Sequence, residues 1–200
     1  MDVIIRKAQL TDQGDIAQLI YSSGMDIYDY LYGDDALNFI LYGFEQNLGF
    51  CGHSNVSVVI KDDEVVATGC FYDLEQFITN AKGNYQNILN FFNEVDAKQV
   101  LARLSKTASV VKPPKEGEVY LSNFGVSPSM RGLGIGTKLI EHELNQAREI
   151  GKTIFGLDVS AENPKAQKLY ERLGLSVVAE NTFEDSEAGV ANSRKMEMAL

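Results

Sequence analysis

Ser127-Pro128-Ser129-Met130-Arg131-Gly132-Leu133-Gly134-Ile135-Gly136-Thr137-Lys138-Leu139 decides how the rest of the chain reads. A β-rich run, Glu118 to Val126, precedes it. After it, Leu139, Ile140, Leu144, Ala147 and Ile150 recur at helical spacing over Thr137 to Ile150. The pattern is strand, glycine-rich turn, helix. Glycines at alternate positions let the main chain approach a ligand closely, and the first N–H groups of the following helix have no intrahelical acceptor. Such a turn cradles an anion, a pyrophosphate above all, with Arg131 adding a fixed positive charge beside it.

Two familiar phosphate patterns do not fit. A P-loop sets Gly directly before Lys and a hydroxyl after it, whereas Lys138 follows Thr137 and precedes Leu139. The dinucleotide pattern G-x-G-x-x-G starts at Gly132 and Gly134 but meets Thr137 in place of its third Gly, and it lies deep in the chain instead of opening it. What fits is Arg-x-x-Gly-x-Gly, at Arg131, Gly134 and Gly136, after a strand ending in Val126. This resembles the acetyl-CoA-binding motif of the GNAT acyltransferase superfamily. A second block, Asn163-Pro164-Lys165-Ala166-Gln167-Lys168-Leu169-Tyr170-Glu171-Arg172-Leu173-Gly174, is similar to the family's later N-x-x-A-x-x-L-Y-x-x-x-G helix, and stands in the right order.

Bulk properties narrow the function classes. Two hundred residues with 44% hydrophobic content suit one globular domain with a real core. A net charge of −10 argues against nucleic acid, which selects basic surfaces, and is compatible with either plain solubility or a cationic amine substrate. No apolar run approaches the ~20 residues that span a bilayer, and the opening residues lack a signal-peptide profile, so the reading is cytoplasmic with no membrane partner. Cys51 and Cys70 read as buried thiols, and with only His53 and His142 as imidazoles no metal site is expected.

Along the chain, Val3 to Ile5 read as a strand, and Thr11 or Asp12 caps a helix carrying Ile16, Leu19 and Ile20 on one face. Gly24 breaks it, and Asp34-Asp35 can cap a further helix through Ala36, Leu37, Ile40 and Leu41. The Tyr and Asp residues from Asp26 to Asp35 are either an amine-binding rim or aromatic anchors on the sheet. Val56 to Tyr72 reads as a hairpin turning at Asp62-Asp63-Glu64. Leu74 to Gly117 reads as two or three short helices and a loop, either an ornament or a lid or dimer contact. Thr153 to Val159, Leu175 to Ala179 and Arg194 to Leu200 read as strands, and Asn181 to Asn192 as a mobile acidic turn.

The resemblance implies the rest. The fold would be α/β: a central, mostly antiparallel twisted sheet whose parallel fourth and fifth strands splay, with helices on both faces. It would occupy 1–200 as one domain, with a helical insertion at about 74–117 between the third and fourth strands. The backbones of Phe124 and Val126 would hold the pantetheine arm, and Arg131, Gly132, Gly134, Gly136, Thr137 and Asn163 would meet the rest of acetyl-CoA. Tyr170 would protonate the departing thiolate, Glu118 would act as base, and Ser122 and Asn123 would touch acceptor or thioester. The implied activity is direct acetyl transfer to a primary amine of a small molecule, or of a peptide or protein, by a monomer or homodimer. A module of the same fold that binds acyl-CoA without turnover is the alternative.

Overall fold

The computed structural model describes residues 2–185 and 187–200. β1 (Ile4–Lys7) runs into α1 (Gln13–Tyr21), α2 (Met25–Tyr32) and α3 (Ala36–Gln46). Gly24 precedes α2 as its N-cap residue. Asp12 does not cap α1: its carboxylate is held by Arg6 at 2.6 Å and by the Gln9 amide at 2.7 Å. Alternating Val56, Val58 and Ile60 build β2 (Val56–Lys61). Asp62 and Asp63, at φ 52° and 65°, then turn the chain into β3 (Glu64–Tyr72). Positive φ at both turn residues matches the right-handed twist of the flanking strands.

The stretch after β3 forms two helices of 18 and 14 residues, longer than the expected short pieces: α4 (Leu74–Phe91) and α5 (Glu94–Thr107). Strong caps account for their length. Asp73 accepts the Gln76 amide at 2.9 Å, and Asn93 accepts the Val95 and Asp96 amides at 3.0 Å. Then come β4 (Glu118–Val126), α6 (Ile135–Glu149), β5 (Ile154–Ser160), α7 (Pro164–Arg172), β6 (Ser176–Asn181) and β7 (Ser193–Ala199).

The seven strands form one sheet in the order β1-β2-β3-β4-β5-β7-β6, antiparallel throughout except for β4 beside β5. Strand alternation divides the side chains between two cores. Val119, Leu121, Phe155, Leu157, Val159 and Met196 pack under α6 and α7. On the other face Val56 and Val58 meet Ile16 and Ile20 of α1 and Ile40 and Phe44 of α3. An aromatic cluster of Tyr32, Phe39, Phe91 and Phe92 then joins α2 and α3 to the end of α4. Gly125 of β4 lies so close to α1 that a Cβ there would fall 2.2 Å from the Leu19 carbonyl oxygen.

The expected mobile turn between β6 and β7 is a docked one; Ser186, within it, lies outside the described residues. Phe183 and Val190 are buried against Val110. The Phe183 ring meets Tyr30 edge-on at 5.3 Å, and the Ala191 amide donates to Asp26 at 2.8 Å. Apolar side chains spaced among the acidic ones tie the loop down.

At the closed end of the β4–β5 pair, Glu118 is fully buried and reaches across to Lys195 of β7 at 2.5 Å, while its second oxygen accepts the Lys115 amide at 2.7 Å. Removing one partner strands a buried charge. Glu118→Ala should therefore cost about 3–5 kcal/mol in urea unfolding, and pairing Glu118→Leu with Lys195→Met should recover most of it. A loss no larger than that of a surface substitution would contradict this role.

Candidate active site

β4 and β5 pair over Glu118 to Leu121 against Ile154 to Leu157 and then part. Neither strand ends there. β4 continues along β3 to Val126, and β5 continues along β7 through Asp158, Val159 and Ser160. The parting coincides with a bulge. Cys70 faces Ser122 and Thr68 faces Gly125, so Asn123 and Phe124 together oppose the single residue Gly69. A bulge bends its strand and raises its twist. Asn123 takes the left-handed conformation, φ 52°, and its side chain fixes it there by accepting the Tyr28 hydroxyl at 2.9 Å.

The open side of β4 presents main chain that β5 does not pair. Ser127 donates its amide to Val66 at 2.9 Å, and by the alternation of an antiparallel ladder the Val126 peptide groups point the other way, into the gap. The Val126 carbonyl is taken by Arg131 Nε at 3.0 Å, which anchors that side chain at the mouth of the turn. Phe124, two residues earlier, has the same orientation, and its ring lies 6.3 Å from that of Tyr170.

In the glycine-rich turn, Gly132 and Gly134 both sit at φ 78°, a conformation that suits glycine, and a Cβ at either would meet nothing within 4 Å. The first helical bond of α6 runs from Lys138 N–H to Gly134, so the amides ahead of it in the turn are not spent in the helix. Gly136 is buried, where a Cβ would come 2.7 Å from Phe124 Cζ, so α6 is seated directly on the open segment of β4. These donors fit a diphosphate: amides and a helix N-terminus turned outward, with an arginine at the rim. Asn163 caps α7 by accepting the Ala166 amide at 3.1 Å.

Tyr170 projects from α7 into the core beside the gap and is buried. Burial pushes its phenol well above the ordinary tyrosine range. Its hydroxyl makes no hydrogen bond among the described residues. Glu118 is not with it. Expected as a base at the rim, Glu118 stands at the opposite, closed end of β4, sealed from solvent and committed to Lys195 and the Lys115 amide. Ser122 and Asn123 turn their side chains into the protein: Ser122 Oγ is buried, and Asn123 is engaged by Tyr28.

A carboxylate that sequence reasoning passed over occupies the fork. Asp158 is the first residue of β5 beyond its last pair with β4, and it faces away from Leu157 and Val159, opposite to α7. It accepts the Tyr120 hydroxyl at 2.8 Å and the Asn181 side-chain amide at 3.1 Å. Burial outweighs these donors and the nearby Lys195 charge and holds its carboxyl above the ordinary Asp range. The signal was an acidic residue in mid-strand, within Ile154-Phe155-Gly156-Leu157-Asp158-Val159.

The region in front of Asp158 is walled by α2, by the chain after α5 and by the β6–β7 loop. Besides the Asp26 and Phe183 contacts, Ser193 Oγ donates to the Val110 carbonyl at 2.6 Å. The tyrosines of α2 act mainly as anchors: Tyr32 stacks on Phe39 at 4.2 Å, and Tyr30 meets Phe183 edge-on.

Known proteins share this arrangement. The N-acetyltransferase of Staphylococcus aureus Mu50 superimposes with a TM-score of 0.76 at 21% identity, over 98% of this chain and all of that one. The 5-NmdU N-acetyltransferase of Pseudomonas phage PaMx11 is 39% identical over 64 residues, 32% of this chain and 44% of that protein. The mycothiol acetyltransferase of Propionibacterium freudenreichii is 38% identical over 63 residues, 32% of this chain and 20% of that protein. The matched stretches thus span less than half of each curated relative. The model of the acetyltransferase (GNAT) family matches residues 20–175. The chain belongs to that family.

Proposed function

We propose that the protein transfers an acetyl group from acetyl-CoA to a primary amine of a small molecule, directly and without an acyl-enzyme. One observation carries the reading: Tyr170 and Asp158 flank the mouth of the β4–β5 gap from opposite faces of the sheet, a proton donor on one side and an acceptor on the other.

Bound acetyl-CoA supplies an activated acyl group as a thioester. The Phe124 and Val126 main chain holds the cofactor arm as an added strand would be held. The amides from Gly132 to Thr137, with Arg131, take the diphosphate. Tyr170, kept neutral by burial, donates its proton to the departing sulfur. Asp158 takes the proton of the incoming ammonium, and Tyr120 holds that carboxylate toward the gap. Glu118 has no part in proton transfer and serves as the structural clasp of the closed end.

The wall on the Asp158 side supports a small acceptor: an open groove would admit a peptide chain lying across the sheet, but here the β6–β7 loop is fastened to α2 and to Val110. Release of CoA measured against polyamines, amino acids, aminoglycosides and peptides tests this. Turnover with a small amine and none with peptides is expected, the reverse pattern would transfer the assignment to peptides, and no release with any acceptor would leave only a binding module.

Tyr170→Phe should lower kcat by about 100-fold with little change in the KM for acetyl-CoA, because general acid catalysis contributes at least that much. Unchanged kcat removes Tyr170 from the chemistry. The pH dependence has a definite sign. Burial raises the pKa of Asp158, so its carboxylate forms at higher pH than that of an exposed Asp, and kcat/KM should climb with pH through that raised value. Asp158→Asn should abolish this limb and most of the activity. A limb that persists in the variant assigns the base elsewhere.

A further inference from the structure

Helix α4 has its amphipathicity turned outward. Between Phe77 and Ile88 its buried face consists of Asn80, Gly83, Asn84 and Asn87, a polar set that serves the loop after α3. Asn87 donates to the Leu48 carbonyl at 3.0 Å, Asn80 accepts from Asn55 at 2.9 Å, and Gly83 lies against Gly49. The large apolar residues lie on the solvent side: Leu74, Ile78, Tyr85 and Leu89, the last three exposed to 47%, 50% and 49%. At 3.6 residues per turn these four fall within roughly 60° of arc, a single straight stripe. Water is a costly neighbour for such a row, and an exposed apolar stripe on a helix of 18 residues marks a contact surface.

We infer that α4 is the self-association face of this protein, pairing antiparallel with α4 of a second copy about a two-fold axis between Ala81 and Lys82. The stripe is symmetric about that point. Leu74 and Leu89 stand equally far from it on either side, and so do Ile78 and Tyr85. A two-fold axis there sets each Leu74 against Leu89 of the other copy and each Ile78 against Tyr85, as an isologous interface requires. Ala81 at the crossing lets the helices approach.

Charge selects a second copy over other occupants. The chain carries a net charge of −10, so two copies repel over most of their surfaces, yet α4 has one Glu and one Lys. Glu75 and Lys82 lie on the same flank of the stripe, and the two-fold axis turns Lys82 of each copy toward the flank bearing Glu75 of the other. A membrane surface would call for several basic residues beside the apolar row, and α4 has only Lys82. In length, a helix of 18 residues spans ~27 Å, the width of the ~800 Å² that a standard interface takes from each partner. None of this depends on the acetyl-transfer reading.

Sedimentation equilibrium of the full chain over the micromolar range tests the inference. The wild type should sediment at twice its 22.1 kDa, and Ile78→Asp combined with Leu89→Asp at 22.1 kDa with an unchanged circular dichroism spectrum. Disulfide trapping fixes the register independently. Copies carrying Leu74→Cys should cross-link to copies carrying Leu89→Cys, and neither should cross-link to itself. A monomeric wild type overturns the proposal, whether or not it captures some other protein. A dimer that survives the double aspartate variant, or self-linking at residue 74, overturns it equally.

Discussion

Past Leu121 and Leu157, β4 and β5 no longer pair although both strands run on, and the site depends on that opening. Two opposed constraints produce it. At the closed end the buried Glu118–Lys195 pair spans from β4 to β7 across β5 and holds the strands in register. At the open end the extra residue at Asn123 and Phe124 bends β4 along β3, while α1 draws Gly125 onto the Leu19 carbonyl. Main-chain groups left unpaired inside a sheet are costly unless water or a ligand satisfies them. A cofactor arm lying along Phe124 and Val126 would extend the ladder on that side.

The same opening joins two faces that the sheet otherwise separates. On the side of α6 and α7 lie the glycine-rich turn, Phe124 and Tyr170. On the opposite face lie Asp158, Tyr120 and the wall made by α2 and the β6–β7 loop. On the proposed reading, cofactor and acceptor approach from different sides and meet at the fork. Tyr28 links the two faces: it stands on α2, and its hydroxyl holds the Asn123 bulge that opens β4.

Much of this was legible in the chain. The bounds of β4 and α7 and the glycine turn follow from local rules, namely β-rich runs, an Asn-Pro cap and glycines where main chain must turn, while the sheet arrangement came from the family resemblance. What escaped depended on partners distant in sequence. Glu118 read as a base because its partner Lys195, which holds it in the interior, lies far along the chain. Asp158 was hidden within an apolar run because the register at which β5 leaves β4 is a tertiary fact. The β6–β7 loop read as mobile from its acidic residues, yet Phe183 and Val190 are held by Val110 and Tyr30. The α4 pattern misleads in another way, since the face that packs is the one with the asparagines.

Amide hydrogen exchange with and without acetyl-CoA examines the opening most directly. Protection should appear at Phe124, Val126 and the amides of residues 132–137, while residues 118–121, already paired with β5, stay as they were. Protection confined to other segments, or none, would mean that the gap between β4 and β5 does not receive the cofactor, contradicting the account at its base.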